Sequence, residues 1–194
     1  FIRSMIIFGI LGDIGSGKSY IAKQFGIPVF NADNEVIKIY RNSKVCFTRL
    51  KRFLPKYIKS FPIRKNELTN AILENKRNIK IISKIVHPLV RKKMNSFLFK
   101  NKKRKAVVLD IPLLLENKIK KKNMVLVFVD SKSSNILKRL NKRKGFNVKV
   151  FQKLKKMQLP LDYKKRKSHY VINNNNNKSS TRKRVKDILN MIGL

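Results

Sequence analysis

Residues 6–25 read IIFGILGDIGSGKSYIAKQF, and this stretch decides the fold. It opens inside a short apolar run, Met5 to Leu11, whose β-branched content suits a strand buried on both faces. Gly12 then starts the pattern Gly-x-x-x-x-Gly-Lys-Ser, which closes at Ser19. Apolar residues return at helical steps (Ile21, Ala22, Phe25), and Gly26 stands where a helix would be capped. The eight-residue pattern alone occurs by chance in unrelated proteins. Its place between a strand and a helix is the context in which backbone N–H groups wrap phosphate oxygens. In that setting Lys18 reaches the outer phosphates and the Ser19 hydroxyl ligates Mg²⁺.

The same logic extends along the chain. Pro28 to Asn31 forms a second short strand that delivers Ala32-Asp33 at its carboxyl end. Strand, glycine loop, helix and strand make the opening unit of a doubly wound α/β fold. Ligands of open α/β sheets sit beyond the strand carboxyl ends, so Asp33 can orient an attacking hydroxyl. An ordinary helix start at Asp33 or Asn34 explains the acid equally well. From Asn34 to about Lys103 the pattern is helical, with Ile72, Ile79, Ile82, Ile85 and Val86 at three- and four-residue steps. His87-Pro88 stands at the start of a helix there, with Arg91 one turn on, and a lone histidine is more often structural than catalytic.

Two all-apolar strands follow, AVVLD (106–110) and MVLVFVD (124–130), each ending in an acid. Asp110 lies where an acid can hold Mg²⁺ through water or orient substrate; Glu116 follows in the connecting loop and short helix, and a surface charge or cap explains either. Ser133 to Lys144 and Val148 to Met157 are two basic helices separated by Gly145. Arg139 and Arg143, four residues apart, share one helix face and can close over a triphosphate, or simply meet solvent. YVI (170–172) is a last short strand, and Ser179 or Ser180 caps a final helix ending near Ile192. The expected organisation is an α/β core (about 1–33, 104–135 and 166–194), a helical insert (about 34–103) and a basic helical hairpin (about 136–165).

Composition narrows the class. Hydrophobic residues make up 42%, enough for a buried core, so the chain is no disordered polycation. Cys46 is the single cysteine, which excludes an internal disulfide and fits a reducing compartment. No apolar run approaches the ~20 residues that span a bilayer. No small-residue cleavage site follows the first apolar run, so the reading is a soluble cytoplasmic protein, with Met5 a candidate start. Cys46, His87 and His169 lack a metal-ligand spacing, so no zinc site is expected. The 48 Lys and Arg against 10 Asp and Glu give a formal charge of +38, a field that attracts any polyanion. Yet Lys, Asn and Ile are all in excess, as A/T-rich codons would make them, and the cations are spread along the chain rather than patterned. A basic phosphate-loop protein acting on nucleic acid is the rival reading, without a stacking-aromatic motif to support it.

Taken together in this order, IIFGILGDIGSGKS, GIPVFNAD, HPLVRKKM, VVLDIPLLLEN, VLVFVD, ILKRLNKRKG, MQLP and HYVINN resemble the dephospho-coenzyme A kinases over about residues 6–176. The phosphate loop is generic; the Ala-Asp, the His-Pro and above all LDIPLLLEN are specific. The resemblance implies a P-loop fold with a five-stranded parallel core, a helical acceptor-binding insert and a lid over about 136–165. It implies transfer of the ATP γ-phosphoryl group to the ribose 3′-hydroxyl of dephospho-CoA, with Mg²⁺; the chain is expected to be a monomer with no specific nucleic-acid or membrane partner. Gly12, Asp13, Ile14, Gly15, Ser16, Gly17, Lys18, Ser19 and Tyr20 would form the ATP loop, Arg143 would act from the lid and Asn174 would lie near adenine. Lys18, Asp33 and Arg139 would be catalytic. Asp33, His87, Arg91, Asp110, Leu113 and Glu116 would serve the acceptor.

Departures from the family pattern are local. Leu11, Asp13 and Tyr20 replace the usual Thr, Gly and Thr, and Asn31 stands where Asp is common. Ser168-His169 replaces Ala-Asp, and Leu154-Lys155 stands about where an Arg is expected in the lid. Asp13 is expected to face solvent or one of the many cations, and Tyr20 to pack its ring on the core.

Overall fold

The computed structural model describes residues 5–143, 145–175 and 177–194. In chain order the elements are β1 (Ile6–Gly12), α1 (Lys18–Gln24), β2 (Val29–Asn31), α2 (Ala32–Asn42), α3 (Lys44–Phe53), α4 (Lys65–Glu74) and α5 (Lys76–Lys100). They continue with β3 (Ala106–Asp110), β4 (Met124–Asp130), α6 (Ser133–Asn141), α7 (Val148–Lys155), α8 (Leu161–Arg166), β5 (Tyr170–Asn173) and α9 (Lys178–Ile192). The chain forms two compact units. One holds residues up to Asn31, Leu98–Phe146 and Met157–Leu194; the other holds Ala32–Phe97 and Asn147–Lys156.

The first unit is the sheet. Its five strands pair in the order β2-β3-β1-β4-β5, and every pairing is parallel. A parallel sheet needs crossovers that cover both faces, which is why its strands are near-continuously apolar: β3 is buried at all five positions. Phe8, Ile10, Val108, Val127, Val129 and Ile172 pack with Ile21 and Ala22 of α1 and with Val185 and Ile188 of α9. Because all strands run the same way, Gly12, Asn31, Asp110, Asp130 and Asn173 end at one edge. The expected α/β class and five parallel strands are therefore present.

The connection after β3 forms a succession of turns instead of the expected short helix. Leu113 and Lys118 there take φ of 58° and 52°, left-handed values that a right-handed helix cannot contain. The last helix is capped by Asn177, whose side chain accepts from the Ser180 N–H at 2.9 Å, and not by Ser179 or Ser180, which fall inside the first turn. The two basic helices end earlier than their charge pattern suggested, at Asn141 and Lys155.

The second unit is helical among its described residues. Ile39, Cys46, Leu50, Leu54, Ile58, Leu68, Ala71, Ile82 and Ile85 form its own apolar core. Ser43 caps α3 by accepting from the Cys46 N–H at 3.1 Å. Glu67 holds the loop before α4, accepting from the N–H groups of Lys59, Ser60 and Arg64 at 2.9, 2.9 and 3.0 Å. Its partial burial would raise its pKa, but these three donors favour the carboxylate and the net direction is down. Lys153 of α7 donates to the Ile72 and Leu73 carbonyls at 2.9 and 2.6 Å, satisfying the open end of α4.

Pro88 does not sit at a helix start. It lies inside the 25-residue α5. Proline removes one backbone bond there, but Lys84 and Pro88 are both exposed, so water can serve the Lys84 carbonyl. Buried Ile79, Ile82, Ile85, Val86 and Met94 hold the helix through the break.

Candidate functional site

The loop between β1 and α1 is built by positions that only glycine can fill. Gly12 has φ 144°, and a Cβ there would stand 2.6 Å from the Val129 carbonyl oxygen and 2.8 Å from Ser16 Oγ. Gly17 has φ 94°, and a Cβ would collide with Asn174 Nδ2. The chain can thus turn closely over Val129 of β4 and Asn174 just past β5. The Ser16 N–H donates to the Asp13 carbonyl at 3.1 Å, closing the turn. Ser16 is 1% exposed, and its hydroxyl is buried without a hydrogen-bond partner.

Lys18 lies over this loop, its Nζ donating to the Asp13 carbonyl at 2.7 Å and the Gly12 carbonyl at 3.3 Å. Of the two settings expected for Asp13, solvent is excluded: it is 5% exposed, and its Oδ1 accepts from the Ile14 N–H at 2.7 Å, capping its own loop. Tyr20 does pack against the sheet core, with its hydroxyl buried and unpaired.

At the neighbouring strand ends, Asn31 of β2 and Asp110 of β3 are register partners. Asn31 Nδ2 donates to Asp110 Oδ2 at 2.5 Å and lies 3.4 Å from Ser19 Oγ. Ser19 is exposed and Asp110 is 2% exposed. The carboxamide thus links a hydroxyl to a carboxylate, and hydroxyl plus carboxylate oxygens are the hard donors that Mg²⁺ prefers.

Arg139 and Asn174 come together on the other side of the loop. Arg139 Nη1 donates to Ser131 Oγ at 2.8 Å, to the Ser16 carbonyl at 3.2 Å and to the Gly15 carbonyl at 3.5 Å. Its Nη2 donates to the Asn174 carbonyl at 2.7 Å. Asn174 is 6% exposed and its Nδ2 donates to the Ser16 carbonyl at 2.8 Å. Burial lowers the guanidinium pKa, yet arginine stays charged in proteins. Arg143 lies just past α6 and is exposed.

Glu116 and Leu113 belong to the turns after β3. Leu113 is held in its left-handed conformation by Asn117, whose backbone N–H and Nδ2 both donate to the Leu113 carbonyl at 2.9 Å. Glu116 Oε1 accepts from Lys164 Nζ at 2.6 Å and from the Leu159 N–H at 2.9 Å, while Oε2 is buried without a partner. No sequence signal marked Lys164, one of 48 cations, as a buried residue. Ser131 was also missed, although its place directly after β4 at the carboxyl edge could have found it.

In the helical unit, Asp33 falls within the first turn of α2, two residues past β2, where an acid suits the helix N-terminal field. His87 and Arg91 stand one turn apart on α5 and line a groove of about 660 Å³ with Ser83, Lys84, Pro88 and Lys92. Desolvation first, and the Arg91 charge second, hold the His87 imidazole below its ordinary pKa, so it is neutral at neutral pH. His169 is structural: Nδ1 accepts from the Leu126 N–H at 2.9 Å and its own N–H returns to the Leu126 carbonyl. Among the described residues no helix is long and apolar enough to cross a membrane.

A parallel sheet of this order, with a Gly-x-x-x-x-Gly-Lys-Ser loop running from its central strand into a helix, defines a P-loop kinase fold. A family model described as CoaE, dephospho-CoA kinase, matches residues 6–180. A dephospho-CoA kinase of Wolbachia from Brugia malayi is 31% identical over 194 residues, covering 97% of this chain and 99% of that one. Among solved structures, a Thermus thermophilus protein superposes with a TM-score of 0.81 at 24% identity, covering 99% of this chain and all of that one. A Campylobacter jejuni dephospho-CoA kinase gives 0.63 at 21%, covering 96% of each. The chain belongs to the dephospho-CoA kinase family, whose members catalyse the last step of coenzyme A biosynthesis.

Proposed function

We propose that this protein transfers the γ-phosphoryl group of ATP to the ribose 3′-hydroxyl of dephospho-CoA. The observation that carries the reading is the loop: a backbone turn closed by glycines around a buried, unpartnered Ser16 hydroxyl, in a chain of this family. Loop N–H groups, Ser16 and Lys18 would hold the phosphates, with Arg143 adding charge from outside. Lys18 would neutralise charge that develops as the phosphoryl group leaves. Ser19, and Asp110 through water, would hold Mg²⁺, which when bound offsets the negative charge of the phosphates. Asp33 would accept or orient the 3′-hydroxyl proton. The acceptor roles of His87, Arg91, Asp110, Leu113 and Glu116 stay part of the proposal. The nucleic-acid reading is not favoured.

The test is transfer of labelled phosphate from ATP to dephospho-CoA, run beside other small hydroxyl acceptors. Preference for a different acceptor would overturn the substrate assignment. Asp33→Asn is expected to lower kcat about 10²-fold or more while leaving ATP affinity unchanged, the signature of a lost general base. Unaltered turnover would remove Asp33 from that role. Asp13→Gly is expected to tighten ADP binding several-fold, about 1 kcal/mol, because it removes a buried negative charge from the loop and frees the Ile14 N–H. Calorimetric titration with ADP reads this directly, and weaker binding would mean the carboxylate supports the loop.

A further inference from the structure

Arg139 lies against the carbonyl groups of Gly15 and Ser16 in the loop. In a planar trans peptide the C=O and the following N–H point in opposite directions. The Ser16 carbonyl is held from one side by Arg139 Nη1 at 3.2 Å and Asn174 Nδ2 at 2.8 Å. The Gly17 N–H of that same peptide therefore points away from both side chains. The Gly15 carbonyl also accepts from Arg139, and the Ser16 N–H of its peptide is spent on Asp13 within the turn. Ser131 and the Asn174 carbonyl complete the arrangement by accepting from the same guanidinium and fixing its plane.

We propose that Arg139, with Asn174, is a positioning residue that clamps the carbonyl face of the phosphate loop and thereby aims the Gly17 N–H at the nucleotide. This departs from the catalytic lid role that the family resemblance implied for Arg139, and from a place for Asn174 beside adenine. The inference rests on the reading of the loop as the ATP phosphate site. The planar fork explains why arginine is used: one rigid group reaches four oxygens on three segments, which a lysine ammonium cannot copy. Gly17 fits the same design, since a Cβ there would displace the Asn174 carboxamide.

Arg139→Lys keeps the charge and loses the fork, so it separates the two roles. Amide exchange across residues 12–20 of the ligand-free protein should speed up in Arg139→Lys and in Asn174→Ala. Affinity for ADP should fall about tenfold in Arg139→Lys, with ATP affinity falling by the same factor, the size expected for one charge-assisted hydrogen bond. The double variant should lose less than the two single losses combined, because both side chains hold one carbonyl. Unchanged exchange and unchanged ADP affinity, with only kcat reduced, would overturn the clamp and return Arg139 to the transferring phosphoryl. So would losses that combine in full. Ser131→Ala, which removes only one neutral partner, gives a milder form of the same test should Asn174→Ala fold poorly. If the unaltered protein binds neither ADP nor inorganic tripolyphosphate, the phosphate-site reading fails, while the exchange rates still decide the clamp.

Discussion

Lys18→Ala is expected to cut phosphoryl transfer from ATP to dephospho-CoA by about 10³-fold, or ~4 kcal/mol of transition-state stabilisation. Nζ already lies on the loop, bonded to the Asp13 and Gly12 carbonyls. A cation at that place needs little reorganisation to meet phosphate, and preorganised charge is usually the largest single contribution in such sites. Lys18→Arg should recover only part of the loss, because a broad planar fork does not fit where a compact ammonium acts as a point charge. Single-turnover kinetics at saturating ATP would separate lost chemistry from lost affinity. Activity within tenfold of the parent would show that the loop is not where phosphate is transferred. The urea midpoint should move little, since Lys18 is only partly buried.

The second large effect concerns stability. Lys164 and Glu116 form an ion pair whose side chains are 3% and 11% exposed, joined at 2.6 Å. Removing one partner leaves the other charge buried, which typically costs ~3–5 kcal/mol. Glu116→Ala should be the worse of the two, because it also strands the Leu159 N–H. The double replacement Glu116→Leu with Lys164→Met should recover most of the loss, since apolar groups of similar volume often match a buried pair. Chemical denaturation of the two singles and the double completes the cycle. Singles that cost less than about 1 kcal/mol would mean that water reaches the pair and screens it.

Much of the sheet unit was legible from the chain because its signals are local. Apolar runs of strand length, glycines at loop positions and acids at strand ends each report on a few adjacent residues. That is why β1, β3 and β4 match their expected bounds nearly to the residue, and why Lys18, Ser19 and Asp110 could be singled out as candidates. Features set by long-range packing were not legible. Pro88 reads as a helix boundary until one knows that α5 carries it on an exposed face. Asp13 reads as an acid facing solvent or a cation until the turn that buries it is formed. The burial of Lys164 depends on Glu116, far back in the sequence, so hydropathy could not announce it. Arg139 stands out for its charge, but most of its partners are backbone carbonyls, which every residue possesses and no pattern distinguishes.

The clamp on the phosphate loop also bears on when in its synthesis the protein can first bind nucleotide. Arg139 reaches the loop across 124 residues and Asn174 across 158. A nascent chain emerging from the ribosome carries β1, the loop and α1 long before it carries β5, the strand that brings Asn174 to the loop. During that interval the Ser16 carbonyl lacks its holders and the glycines keep their full conformational freedom. High-affinity ADP binding should therefore arise late, only once the last fifth of the chain has docked. Chains stalled on a C-terminal linker, with residue 175 held inside the exit tunnel or carried beyond it, would show the difference as a step in ADP capture.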